Sequence, residues 1–307
     1  MTKNKIIGIT IVAVIVLSLV IVVWAGAGRA FIPGNRIAVI SLTGPIQESG
    51  GGGLLFPAAA ITPGLVRGLL EQAERDGSIK AVMLRIESPG GSIAASQEIG
   101  DMIRDFEKPI VVSMGDQATS GGYYISAHAD MIIAQPGTIT GSIGVIFMHL
   151  NVDGLLQKLG IERETIIGGE HKDMFVTPLT AERRDLIQRI TDEAHDQFIT
   201  TVAEGRGLTI AEVRELATGE LFIGTQALEL GLVDRLGGRQ VAINAAAELA
   251  EIEVPPATIE LSPPAPSPFD LFFGGGGILR DLAISRLLGD EIALLRTLLE
   301  TYSLPRW

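Results

Sequence analysis

Apolar positions along this chain fall into a repeating alternation of two patterns. From about residue 35 to 250, short continuous apolar runs are followed by stretches in which apolar residues recur at helical spacing. The runs predict strands at Arg36–Ile46 (RIAVISLTGPI), Lys80–Ile86 (KAVMLRI), Pro109–Met114 (PIVVSM) and Met131–Ala134, with a further apolar strand over 161–167. Their unbroken apolar character suits strands buried on both faces. The intervening pattern predicts helices over 62–76, 92–107 and 120–128, then a helical second half over 180–204, 209–217, 224–230 and 238–250. Strand–helix alternation of this kind implies an α/β domain with largely parallel pairing and right-handed crossovers.

Both ends of the chain depart from that alternation. Ile6–Trp24 is a run of 19 residues without a charge. As a helix it would span about 28 Å, against a bilayer hydrocarbon core of roughly 30 Å. Lys3 and Lys5 precede it and Trp24 closes it, so the expected arrangement is a single-pass anchor. Residues 1–5 then lie in the cytoplasm, and everything after residue 30 lies outside. Arg29 and Arg36, on the far side, weaken that orientation without reversing it. Ala25-Gly26-Ala27 resembles a cleavage site, but the apolar run exceeds the length usual in a removable signal peptide.

At the other end, residues 255–268 hold six of the 15 prolines and Gly274–Gly277 follow, so 255–277 reads as a linker after a folded domain at 30–254. Beyond it, Ile284, Leu288, Ile292, Leu295, Leu299 and Tyr302 share one face of an amphipathic helix within 278–307. That face suits packing on its own domain or a neighbouring subunit, or binding in the membrane interface.

Composition narrows the chemistry. The 307 residues carry a net charge of −12 and include no cysteine, with a mean hydropathy of +0.36. An acidic chain without a basic block is a poor match to nucleic acid. Without cysteine there are no disulfides, thiolate nucleophiles or zinc–thiolate sites. The four histidines (His128, His149, His171 and His195) form no pair at metal-ligand spacing, so no metal or other cofactor is expected.

Two glycine turns carry the candidate chemistry. In DQATSGGYY (116–124) a strand ends near Met114 and a helix begins near Ser120. Ser120 therefore stands at a helix N-terminus, where unpaired N–H groups point outward and Gly121 leaves room for a substrate carbonyl. The competing use of Thr119 or Ser120 is simply to cap that helix. The preceding strand ends in ESPGGS (87–92), at the same sheet edge. There Gly91, with Gly90 second, could supply another N–H to an oxyanion. A serine nucleophile needs a base. GGEHKD (168–173) offers Lys172, or His171 if Asp173 orients it. Burial would favour the neutral amine of Lys172. In TGSIGV (140–145), Ser142 could position that amine, or serve only as a turn residue.

SPGG (88–91), DQATSGGYYIS (116–126), TGSIGV (140–145), HKD (171–173) and ELFIGTQALELGLVD (220–234) occur in this order. Together they resemble the signal peptide peptidase A family of membrane-anchored serine peptidases in its short, single-domain form, over roughly residues 36–250. The resemblance implies a crotonase/ClpP-like α/β fold and a Ser–Lys dyad. Ser120 would be the nucleophile, Lys172 the general base, Ser142 the hydroxyl that orients the lysine, and Gly91 and Gly121 the oxyanion donors. His171 departs from the family pattern, where an aromatic residue more often precedes Lys-Asp.

The substrates implied are remnant signal peptides or other apolar peptides at the outer face of the cytoplasmic membrane. The implied assembly is a homo-oligomer with active sites facing an internal cavity. Three alternatives remain. One is a stomatin-operon-type membrane serine peptidase, with a related fold and dyad. Another is a crotonase-fold acyl-CoA enzyme, and the third is an inactive peptide-binding scaffold.

Overall fold

A computed structural model describes residues 34–49, 60–176 and 178–263. The expected anchor at 6–24 and the amphipathic helix at 278–307 lie outside these residues. Among the described residues, no helix is long and apolar enough to cross a membrane.

The elements follow the predicted alternation. In chain order they are β1 (Arg36–Thr43), α1 (Pro63–Arg75), β2 (Ile79–Ser88), α2 (Ile93–Arg104), β3 (Ile110–Thr119), α3 (Gly121–Ser126), β4 (Met131–Ala134) and β5 (Ile139–Gly141). There follow α4 (Asp153–Lys158), α5 (Ala181–Arg206), α6 (Ile210–Leu216), β6 (Leu221–Ile223), α7 (Gly224–Glu229), β7 (Arg235–Leu236), α8 (Arg239–Leu249) and β8 (Ala257–Leu261). The strands form one sheet in the order β6-β5-β3-β2-β1-β8, with β4 on β3 and β7 on β4. All pairs are parallel except β5 with β6.

The unbroken apolar strands divide their side chains between two cores, as the two-residue period requires. On one face Ala38, Ile40, Leu42, Val82, Leu84 and Ile86 pack with the helical side of Val66, Leu69, Ile99 and Ile103. On the other, Ile37, Val39, Ala81, Met83, Val111 and Ile133 meet α8 through Ala242, Ala245 and Ala246. The small alanine face lets α8 lie close on the sheet.

Local signals set the helix ends. Thr62 caps α1 through the Leu65 N–H, with Pro63 in the first turn. Ser92 and Thr180 cap α2 and α5, Thr209 and Glu212 form a capping box at α6, and Gly207 ends α5 at φ 64°. Of α5, the C-terminal half supplies buried Phe198, Ile199, Val202 and Ala203, whereas Ile190 in the first half stays exposed.

Two expectations are corrected. The proline-rich linker does not begin at 255: Ala257–Leu261 is strand β8, paired in parallel with β1 from Arg36↔Ala257 to Ile40↔Leu261. The prolines flank these five residues, and an edge strand bonds to a neighbour on one side only, so they do not obstruct it. Nor is 161–167 a strand. It is irregular, and Ile161, Ile166 and Ile167 are exposed. Its apolar run has no partner strand among the described residues, and an apolar run alone does not make a ladder.

Candidate active site

Parallel pairing places the C-terminal ends of β1, β2 and β3 at one edge of the sheet, and the glycine turns meet there. Ser120 directly follows β3 and adopts φ 52°, ψ −123°, a region that L-residues rarely occupy. Its N–H donates to the Gly141 carbonyl (2.9 Å) and its own carbonyl accepts from the Tyr124 N–H (2.9 Å). Although it occupies the cap position of α3, its side chain makes no capping hydrogen bond. Ser92, Thr62, Thr180 and Thr209 all do so at their own helices. The Ser120 hydroxyl is therefore not spent on capping the helix.

The turn after β2 presses against this point. Gly90 has φ 98°, and a Cβ there would sit 2.7 Å from the Gly121 nitrogen and 2.8 Å from the Ser120 Cβ. A Cβ on Gly121 would lie 3.2 Å from the Gly91 nitrogen and 2.5 Å from the Ser96 hydroxyl oxygen. The turn is fixed by Ile46 N–H to the Gly90 carbonyl (2.8 Å) and Ser92 N–H to the Ile46 carbonyl (2.9 Å), bonds that leave the Gly91 N–H outside them. The backbone nitrogens of Gly91 and Gly121 therefore lie in one crowded place beside Ser120.

The third segment joins through the sheet. β5 pairs with the end of β3, Thr119 opposite Gly141, which sets Ser142 beside the Ser120 backbone. Ser142 also has positive φ (51°) and donates its N–H to the Glu220 carbonyl at 2.7 Å.

Lys172 lies on a different kind of support. It is exposed on a run of turns closed by Lys172 N–H to the Gly169 carbonyl (3.1 Å) and Val176 N–H to the Asp173 carbonyl (2.8 Å). Asp173 ion-pairs with Arg183 of α5, and Arg183 also donates to the Val176 carbonyl at 3.3 Å. Stacking of Phe175 on Phe147, 5.1 Å between ring centres, ties this turn to the segment leading from Ser142. Among the described residues, no hydrogen bond joins the Lys172 amine to Ser120 or Ser142. His171 is exposed as well, and Asp173, its expected orienter, is engaged by Arg183 instead. Glu170, His171 and Glu182 hold ligand-type atoms within 4.8 Å of one another at the surface, an arrangement exposed acidic groups often make without an ion.

A largely apolar groove of about 540 Å³ is lined by Ile93 and Ala94 after the glycine turn, Met174 after the lysine, and Leu186, Ile190 and Ala194 of α5, with Arg189 and Glu193 among its polar members; neither Ser120 nor Lys172 lines it. Behind the serine, Tyr123 is fully buried and donates to the Leu232 carbonyl (2.9 Å), and burial pushes its phenol well above the usual range. Tyr124 receives the Thr201 hydroxyl (2.8 Å) and packs on Phe198, bracing α3 against α5. Sequence reasoning missed Glu87, whose carboxylate receives the Asp116 and Gln117 N–H groups at 2.6 and 3.2 Å. The glycine within the following strand, Gly115, was the available signal.

Comparison with known proteins shows the family. Residues 102–253 match Peptidase family S49, and residues 60–138 match the Clp protease family. A putative protease of Synechocystis is 39% identical over 74% of this chain and 83% of its own length. A putative signal peptide peptidase SppA of Enterococcus faecium is 38% identical over 68% of this chain and 62% of its own. Protease 4 of Haemophilus influenzae is 36% identical over 70% of this chain, which spans only 35% of that larger protein. Among solved structures, a mutant of the 1510-N membrane-bound stomatin-specific protease superposes with TM-score 0.51 at 16% identity, covering 76% of this chain and all of that one. That likeness speaks to the fold.

Proposed function

The chain belongs to peptidase family S49, the signal peptide peptidase A family of serine peptidases, and from that premise we propose that it cleaves apolar peptides with Ser120 as nucleophile and Lys172 as general base. Neutral Lys172 takes the Ser120 hydroxyl proton as Oγ attacks the scissile carbonyl. The Gly91 and Gly121 N–H groups stabilise the oxyanion, and Ser142 orients the lysine amine. The proton passes to the leaving amine, and water, deprotonated by the same lysine, releases the acyl group.

The observation that carries this reading is the meeting of the Gly90–Gly91 turn with Ser120–Gly121 at one sheet edge, with the serine hydroxyl unspent on its helix. The largely apolar groove that begins at Ile93 and Ala94, just after the Gly90–Gly91 turn in the chain, supports remnant signal peptides as the substrate class we assign. We assign the domain to the outer face of the cytoplasmic membrane, tethered by 6–24 with the N-terminus inside. The exposed apolar residues Ile146, Met148, Leu155 and Ile166, near the lysine turn in sequence, support a homo-oligomer. Membership of a peptidase family removes the acyl-CoA alternative. The stomatin-type reading is kept by the fold likeness and differs in substrate.

The test is a peptidase assay of the full chain in detergent from about pH 6 to 10, with both peptide classes, beside Ser120→Ala and Lys172→Ala. Wild-type turnover of signal-peptide segments should rise along a basic limb, while Ser120→Ala is inactive and Lys172→Ala loses the limb. An active Ser120→Ala, or an unchanged limb in Lys172→Ala, defeats the dyad. Preference for stomatin segments transfers the substrate assignment.

A further inference from the structure

β2 and β3 run in regular parallel register from Val82↔Ile110 to Ile86↔Met114, and the next matched pair is Ser88↔Ala118. Between those pairs β2 spends one residue, Glu87, and β3 spends three, Gly115, Asp116 and Gln117. In unbroken register Ser88 would face Asp116 instead. The bulge therefore draws the end of β3 back by two residues (118 − 116), about 6.6 Å at about 3.3 Å per residue.

That retraction decides where the nucleophile stands. With Ala118 facing Ser88, Ser120 comes level with Gly90, which is where the two turns meet. The bulge is also where β3 changes neighbour: Val111–Ser113 pair with β4, whereas Gln117–Thr119 pair with β5, the strand that leads to Ser142.

A bulge strands backbone donors that need other acceptors. Here both are taken by one side chain. Glu87 Oε2 accepts the Asp116 N–H at 2.6 Å and Oε1 accepts the Gln117 N–H at 3.2 Å. Room for the carboxylate exists because residue 115 is glycine, since a Cβ there would overlap the Glu87 carboxylate. The Thr138 hydroxyl donates to the Gly115 carbonyl (2.7 Å), closing the bulge from the other side.

We propose that Glu87 is a positioning residue for the reaction: its carboxylate clamps the β3 bulge and so sets Ser120 against the Gly91 and Gly121 donors. This rests on the reading of Ser120 as nucleophile. A displacement of about 1 Å at a reacting atom is enough to cost about a hundredfold in rate.

The test compares Glu87→Gln and Glu87→Ala with wild type and Ser120→Ala, all as full chain in detergent. It follows the acylation burst from an activated p-nitrophenyl ester, kcat and KM on an apolar peptide, and thermal unfolding. Glu87→Gln keeps the shape and one acceptor oxygen, so its acylation rate per folded molecule should fall about tenfold and that of Glu87→Ala about a hundredfold, with KM within about twofold. Unfolding of Glu87→Gln should stay close to wild type. Acylation within about twofold of wild type in both variants, or loss that merely tracks the folded fraction in both, overturns the proposal. Should Ser120→Ala retain the burst, the nucleophile reading falls and the clamp with it. If Ser120→Ala is silent and the Glu87 variants are normal, only the clamp falls.

Discussion

Ser120 and Lys172 are held by contrasting parts of the molecule. The serine follows a core strand, between buried Thr119 and buried Gly121, and its backbone is bonded to β5 and to α3. The lysine rides on turns between Gly168 and Val176, and the segment before them, from Ile146 to Ile167, exposes most of its apolar side chains, Ile146 at 87% and Ile166 at 91%. Helix α4 within that segment has no buried residue at all. A nucleophile that must occupy a strained conformation needs surroundings that over-determine it, and a close-packed sheet edge provides them. A base that must lose its proton needs low dielectric, which a single exposed turn does not provide. The serine side is thus packed within the chain, whereas the lysine side leaves its apolar neighbours exposed.

Substitutions can break that contrast. The largest effect is expected at Gly90: Gly90→Ala places a methyl group against Ser120 and Gly121 at a φ that favours glycine, so turnover should fall by about a thousandfold or more and stability by about 2–4 kcal/mol in urea unfolding. Lys172→Ala should also remove activity, by about 10²–10⁴-fold, yet leave stability within about 0.5 kcal/mol because the side chain is exposed. If Lys172→Ala proves as destabilising as Gly90→Ala, the two halves are not distinct. Next, under the proposed homo-oligomer, Ile146→Glu and Ile166→Glu should lower the mass by light scattering while shifting the unfolding midpoint of the domain little; an unchanged mass removes this apolar face as support for the oligomer.

The smallest effect is a pH dependence on the serine side. Burial, helped by Arg104, depresses the His128 pKa below its usual 6.5, against the opposing pull of Glu204, Asp101 and Asp105. The unfolded chain then takes up that proton first, so this contribution is complete above about pH 6.5 and declines as pH falls through that value, levelling off below the folded pKa. His128→Gln should flatten that part of the stability profile.

The sheet core and most helix limits were legible because their causes are local. Continuous apolar runs such as KAVMLRI mark strands with two buried faces, and Thr62-Pro63 or Thr209 with Glu212 mark helix starts. The meeting of the glycine turns was legible for the same reason, since both follow core strands at one edge. What escaped reading depends on contacts between distant residues. β3 runs past Met114 to Thr119 through a bulge whose N–H groups bond to Glu87, and no periodicity announces it. β8 is five residues bracketed by prolines, and β1 recruits it. Conversely, 161–167 has the composition of a strand and no strand to pair with among the described residues. The surroundings of Lys172 were illegible for a related reason, because they depend on neighbours more than on the lysine's own segment.

The direction of β1 carries a mechanical consequence. The chain enters the sheet at Arg36, and β1 runs parallel to β2 and β3 for eight residues, so Ser120 sits at the opposite rim from the point where the domain is joined to what precedes it. At about 3.3 Å per residue those rims are about 26 Å apart. Changes at the Arg36 end of the sheet can therefore reach the glycine turns only through the full length of the intervening strands.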